Sequence, residues 1–304
     1  MAFNWQTFKT RALTAVVFVV VMMFGLLWNR WSLFILFSIV HFGAWVEYQK
    51  LISQINKEYT NVSFLHRYGI MIAGWCLLLF FTNQELQVFG AHLTTIGWWL
   101  GISLVIILPT GILLQSPKSF LLTTGYSLFG ILYISLPLAL LIDLRNHWIE
   151  ANIDFNIIIP LMIIFTLWVN DTMAYIVGSL IGKTPLSSIS PKKTWEGTIG
   201  GIILAIIVMS LTAYFTQKFS VVHAAAIAAL ASVSGTYGDL FESKLKRMAN
   251  VKDSGKIMPG HGGFLDRFDS LLFAATVVWF YVVFFMYPTA EVLFIVPCVA
   301  HFII

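Results

Sequence analysis

The sequence predicts an all-α polytopic membrane protein with about nine transmembrane helices, its N-terminus cytoplasmic and its candidate site at the cytoplasmic interface. Three observations carry this expectation. Only 11% of the 304 residues are charged against 59% hydrophobic, and mean hydropathy is +0.85; a soluble domain uses about 25% charged residues to cover its surface. Apolar runs long enough to cross roughly 30 Å of hydrocarbon recur along the whole chain, and they are continuous instead of alternating, which selects helices over a barrel. The basic residues, finally, fall mostly on one side once those runs are threaded through a bilayer. Disordered, collagen-like and disulfide-rich secreted classes are excluded by the same composition.

Taken in order, the first run, 12–28, follows Lys9 and Arg11 in the manner of a signal peptide. No small-x-small cleavage site comes after it, and Asn29-Arg30 leads straight into a second run, 31–46, so a retained helix is expected. Runs 68–82, 97–115 and 119–142 complete an N-terminal part, 1–156. Runs 157–181, 198–215, 221–241 and 268–287 form a second part, 157–287, together with two basic cytoplasmic loops, 182–197 and 242–267. The last stretch, 290–304, is short and holds Pro297, so it is expected at the interface or as a partial helix. No gap between runs could bury a core of its own, which makes 1–304 a single membrane domain. Cys76 and Cys298 sit in apolar runs without metal-ligand spacing and are expected to be packing residues.

Charge placement tests the count. With a cytoplasmic N-terminus, the cytoplasmic side holds Lys9, Arg11, Lys50, Lys57, Arg67, Lys118, Lys183, Lys192, Lys193, Lys244, Lys246, Arg247, Lys252, Lys256 and Arg267. Arg30, Arg145 and Lys218 alone fall opposite. Removing one middle helix would scramble this bias.

Polar groups inside apolar runs are expensive and therefore informative. Run 157–181 carries Asn170-Asp171-Thr172, then Tyr175, Gly178 and Gly182. Run 221–241 ends in Ser232, Ser234, Gly235, Thr236, Tyr237, Gly238 and Asp239, and the last long run opens on Asp266-Arg267-Phe268-Asp269-Ser270. The GxxxG spacings Gly178/Gly182 and Gly197/Gly201 are most often close helix packing, and hydroxyls such as Ser232 and Ser234 equally often satisfy backbone carbonyls. A carboxylate within a span costs about 2.5–3.5 kcal/mol on insertion scales, so Asp171 and Asp239 point to function. Asp266 and Asp269 would share one face at a helix start, where acids are favoured in any case. Beside Asp239, however, they supply the oxygen donors that hold Mg²⁺ together with substrate phosphates.

The two basic loops mix Lys, Arg, Ser and Gly in a way that suits phosphate: cations neutralise it and glycine amides approach it. Loop 182–197 offers Ser190, Lys192 and Lys193; loop 242–267 offers Lys246, Arg247, Lys252, His261, Gly262, Gly263 and Arg267. Lys50, Lys57 and Lys118 need no more than a topological role. Neither loop contains GxxxxGK[ST], so neither is a Walker-type P-loop.

The second loop also carries a longer pattern: Ser243-x-Leu245-Lys246-Arg247, Lys252-Asp253-x-Gly255, Met258-Pro259-x-His261-Gly262-Gly263 and Asp266-Arg267-x-Asp269. It resembles the signature of the phosphatidate cytidylyltransferases, the CDP-diacylglycerol synthases. Ser190–Gly197 and Asn170-Asp171…Tyr175…Gly178 are similar to that family as well, while the five N-terminal helices match it only in hydropathy. The resemblance implies condensation of CTP with phosphatidic acid to CDP-diacylglycerol and pyrophosphate, with Mg²⁺ and room for a second metal or a monovalent cation. It implies residence in the cytoplasmic (inner) membrane, a possible homodimer and no nucleic-acid partner. Metal binding is then expected of Asp239, Asp266, Asp269 and, more deeply placed, Asp171. Phosphate binding is expected of Ser190, Lys192, Lys193, Lys246, Lys252, Arg247, Arg267, Gly262 and Gly263, with Asn170 beside them and His261 acting on a phosphate oxygen or the leaving group. A CTP-dependent lipid or polyprenol kinase has similar needs, and an ion-coupled transporter would use Asp171 and Asp239 as ion ligands. Asp266→Asn is expected to abolish turnover in a folded protein.

Overall fold

The computed structural model describes residues 5–82, 86–113, 120–146, 155–257 and 262–286. Over these the chain is nearly all-α, with one two-stranded hairpin, β1 (Gln87–Val88) and β2 (Ala91–His92). Helices α1 (Trp5–Leu27), α2 (Arg30–Ile55), α3 (Phe64–Phe80) and α4 (Leu93–Leu113) come first. Next are α5 (Phe120–Gly130) and α6 (Leu136–Asn146), joined through a π-helical turn at Ile131–Ser135 into one long helix. The second half is α7 (Phe155–Ile181), α8 (Trp195–Thr216), α9 (Val221–Met248) and α10 (Leu265–Tyr281). Among the described residues, each of the nine expected apolar runs falls on a helix. Six helices are long and apolar enough to cross a membrane, and α1, α3 and α4 contribute shorter apolar segments. The stretch 290–304, Cys298, Lys118 and His261 lie outside the described residues.

The helix ends differ from expectation at two places that matter. The α2 helix does not stop at 46 but runs on to Ile55, and α9 continues past 241 to Met248. Hydropathy marks where a helix leaves lipid; the backbone goes on for as long as its polar turns find partners. Both extensions bring acidic residues, Glu47 and Glu242, into the buried interior.

The outside of the bundle is apolar in a regular way. On α8, Ile199, Ile203, Ile207, Leu211 and Phe215 form an exposed row at i, i+4 spacing, while Gly197, Gly201, Ala205, Met209 and Ala213 form the buried row. Large apolar side chains outward and small ones inward is the pattern of a helix surrounded by lipid tails and packed closely on its neighbours. The buried row lies against α7: a Cβ on Gly201 would stand 2.7 Å from the Asn170 carbonyl oxygen, and one on Gly197 would stand 2.7 Å from that of Ala174. The GxxxG glycines are thus packing residues, and they hold the Asn170-Asp171 turn against α8. Gly201→Leu is expected to destabilise the bundle by about 1–3 kcal/mol through overpacking, read as a lowered melting temperature in detergent. Wild-type melting would show that α7 and α8 do not need this close approach.

Contacts along α7–α8, α8–α9 and α9–α10 make the second half a four-helix unit. The α2 helix is tied to the first half by side-chain bonds to the π turn: Trp45 Nε1 donates to Ser135 Oγ at 2.9 Å, and His41 Nε2 lies 3.0 Å from the same oxygen. This fixes the rotation of α2 and points Glu47 at the start of α10.

Candidate functional site

One end of the four-helix unit is hollow. A cavity of about 570 Å³ opens there, lined from α7 by Asn170 and Asp171, from the α7–α8 loop by Ser190, Lys192 and Lys193, from α9 by Asp239, and from α10 by Asp266 and Asp269. Eight of the residues singled out from sequence, drawn from four separate segments, therefore share one space. Helical spacing explains each contribution: Asn170/Ala174/Gly178, Thr236/Asp239 and Asp266/Asp269/Ser270 repeat at three or four residues, so each set lies on one face.

The α7–α8 loop is held in a compact form by local bonds. Thr194 caps α8, its hydroxyl accepting from Gly197 N at 3.2 Å, and the Glu196 carboxylate accepts from the Lys183 and Thr184 amides, each at 3.2 Å. Leu186 N donates to Lys193 O at 2.8 Å, and Trp195 N donates to Thr184 O at 2.9 Å. So constrained, the loop lays Lys193 onto the cavity wall, where its ammonium forms an ion pair with Asp239.

Lys246 was expected to meet phosphate; the structure places it between two carboxylates. It pairs with Glu242, four residues earlier on α9 and fully buried, and donates to Asp266 Oδ1 at 2.6 Å. The other oxygen of Asp266 accepts from Ser254 N at 2.9 Å, Ser254 Oγ at 2.9 Å and Gly263 N at 2.8 Å. Asp266 is thus both a cavity residue and the knot that ties Ser254 and Gly263 to α9. Gly262 has φ +82°, and a Cβ there would meet the Asp266 carboxylate, so no other residue fits the turn that delivers Gly263 N.

Other expected site residues lie around this centre. Arg267 lines a smaller recess of about 130 Å³ with Phe18 and Trp168, and this recess shares Asp171, Asp266 and Asp269 with the main cavity. Arg247 donates to the Val251 carbonyl oxygen at 3.4 Å, and Lys252 is exposed; neither lines the cavity. Glu47 is the residue that sequence reasoning passed over. It is 5% exposed, and its carboxylate accepts from Ser254 Oγ at 2.7 Å and from the Phe264 and Leu265 amides, each at 2.9 Å.

Four aspartates and two lysines line the cavity, so a polyanion entering alone would meet an excess of negative charge. A hard divalent cation resolves this, because carboxylate oxygens and phosphate oxygens are its preferred ligands. Asn170 Oδ1 adds a buried oxygen with no hydrogen-bond partner at the same wall. Among the described residues no three His, Cys, Asp or Glu side chains converge as a preformed metal cage. Mg²⁺ needs only one or two carboxylates and completes its shell with water and substrate.

The chain is similar to known proteins of one family. The profile of the cytidylyltransferase family matches residues 9–285. A protein of Staphylococcus saprophyticus named phosphatidate cytidylyltransferase is 32% identical over 267 residues, covering 87% of this chain and 95% of that protein. A Synechocystis protein of the same name is 39% identical over 153 residues, 48% of this chain and 52% of its own length. The chloroplastic phosphatidate cytidylyltransferase 4 of Arabidopsis thaliana is 46% identical over 113 residues, 37% of this chain and 29% of its own. The chain therefore matches about half the Synechocystis relative and less of the Arabidopsis one.

Proposed function

This chain belongs to the cytidylyltransferase family, and on that premise we propose that it condenses CTP with phosphatidic acid, releasing pyrophosphate and forming CDP-diacylglycerol. The observation that carries the proposal is the single cavity in which Asp171, Asp239 and Asp269 face Lys192 and Lys193 at one end of an apolar helical unit. Its volume falls within the range of small-molecule sites. Its position lets a soluble nucleotide meet a lipid whose acyl chains stay in the leaflet. We propose further that the long and short apolar helices together make nine crossings of the cytoplasmic membrane with the N-terminus inside, which places the cavity on the cytoplasmic side.

In this reading a non-bridging oxygen of the lipid phosphate attacks the α-phosphorus of CTP. The new P–O bond forms as the bond from the α-phosphorus to the pyrophosphate oxygen breaks. The lipid phosphate is anionic at neutral pH and needs no strong base; the work is to hold two polyanions together and stabilise the leaving group. Lys192 and Lys193 take the leaving pyrophosphate, with Ser190 donating beside them, and Lys193 exchanges its ion pair with Asp239 for phosphate as substrate enters. Arg267, in the recess beside Phe18 and Trp168, receives the lipid phosphate. Asn170 accepts from a nucleoside donor. Arg247 and Lys252 give the approach a positive field. Mg²⁺, held by one or two of Asp171, Asp239, Asp269 and the open side of Asp266 Oδ1, would supply charge neutralisation on the transferring phosphate.

Purified protein given phosphatidic acid and α-labelled CTP is expected to transfer the label to lipid. Transfer of γ-label instead would establish a kinase and overturn the proposal. Removal of divalent cations with EDTA is expected to reduce turnover to background, with recovery on adding Mg²⁺ but not Ca²⁺. Full turnover in EDTA would remove the metal from the reading.

A further inference from the structure

Glu47 belongs to the first half of the chain, yet its three partners are 207, 217 and 218 residues away, all in the segment that opens α10. The start of a helix leaves amides without intrahelical acceptors, and α10 has no side-chain cap of its own at Phe264. Glu47 fills that role from α2. The fit is close on every side: a Cβ on Gly255 or Gly263 would fall on the Glu47 carboxylate, and one on Gly43, a turn earlier on α2, would fall on the Phe264 ring. Ser254 Oγ stands within reach of both Glu47 and Asp266, so its single proton is shared between the carboxylate that holds the loop and the one that lines the cavity.

We propose that Glu47 is a positioning residue for the transfer reaction: by capping α10 from α2 it fixes the register of Asp266 and Asp269 in the cavity. It touches neither substrate space nor the reacting atoms. This rests on the cytidylyltransferase reading for its kinetic consequence, but not for its geometric one.

Two variants probe it. Glu47→Gln keeps the reach and volume but turns one acceptor oxygen into a donor, which then opposes an amide or the Ser254 hydroxyl. Ser254→Ala removes the hydroxyl bridge between Glu47 and Asp266 while leaving both amides capped and the Ser254 N–Asp266 bond in place. In Glu47→Gln, exchange of the Phe264 and Leu265 amides is expected to quicken by about tenfold or more, with α9 and the later turns of α10 unchanged. The kcat per folded molecule is expected to fall about tenfold or more, with KM for phosphatidic acid within about threefold. The double variant is expected to lose less than the product of the two single losses, because both act on one chain of contacts. Wild-type exchange and kcat in Glu47→Gln would overturn the proposal. So would a uniform rise in exchange over α2 and α10 with kcat per folded molecule unchanged, since that describes general stability alone. A wild-type chain that fails to transfer CMP would remove the proposed reaction, while the exchange measurement would still decide whether Glu47 orders the loop.

Discussion

Asp269→Asn is expected to lower cytidylyl transfer at least a hundredfold, about 2.7 kcal/mol of transition-state stabilisation, in a protein that folds and melts as the wild type does. Asp269 is 8% exposed, one turn into α10, and borders both the main cavity and the recess with Arg267. Ser270 N donates to its Oδ1 at 2.6 Å, a bond that the amide oxygen of asparagine can accept equally well. Its charge is thus not consumed by the fold. A buried carboxylate without a compensating ion pair is retained against its desolvation cost only where something else uses the charge. Measuring kcat and detergent melting side by side tests this directly: activity within threefold of wild type would mean that Asp269 holds nothing the reaction needs.

The position of the aspartates was legible in the sequence because a charge inside an apolar run is conspicuous. Asp171 and Asp239 interrupt such runs, and Asp266 and Asp269 open one at helical spacing; all four reach one cavity. Lys192 and Lys193 were legible for the opposite reason, as charges concentrated in a loop with little else to do. Glu47 and Glu242 were not legible, because each follows the end of an apolar run, where an acid looks like an ordinary interfacial residue. Only the continuation of α2 and α9 beyond the hydrophobic stretch buries them. Lys246 was expected in a basic loop meeting phosphate, but the start of that loop, up to Met248, continues α9, and on this face the lysine meets Glu242 one turn back. Local pattern, in short, located the charges that line the cavity and missed acids buried by helical turns beyond the apolar runs, whether their partners lie four residues away, as for Glu242, or some two hundred, as for Glu47.

Asp266→Asn should abolish turnover too, but the structure separates it from Asp269→Asn by a second effect. Asp266 accepts from Lys246 on one oxygen and from Ser254 and Gly263 on the other, so both oxygens are engaged by donors. Asparagine offers one acceptor and one donor, and in either orientation the donor faces an ammonium or a pair of amides. Breaking one partner of a largely buried ion pair costs about 3–5 kcal/mol; since Lys246 keeps Glu242, a loss near the lower figure is expected. The variant should therefore melt at a lower temperature and expose the Ser254 and Gly263 amides, where Asp269→Asn does neither. Combining Asp266→Asn with Lys246→Met should not restore stability, because Lys246 is also the ion-pair partner of the fully buried Glu242, which the double variant leaves unpaired. Turnover should not return, since the cavity still lacks the carboxylate. Recovery of activity in the double variant would show that Asp266 serves the reaction only by holding Lys246, whereas unchanged melting in the single variant would show that the loop is anchored by Glu47 alone.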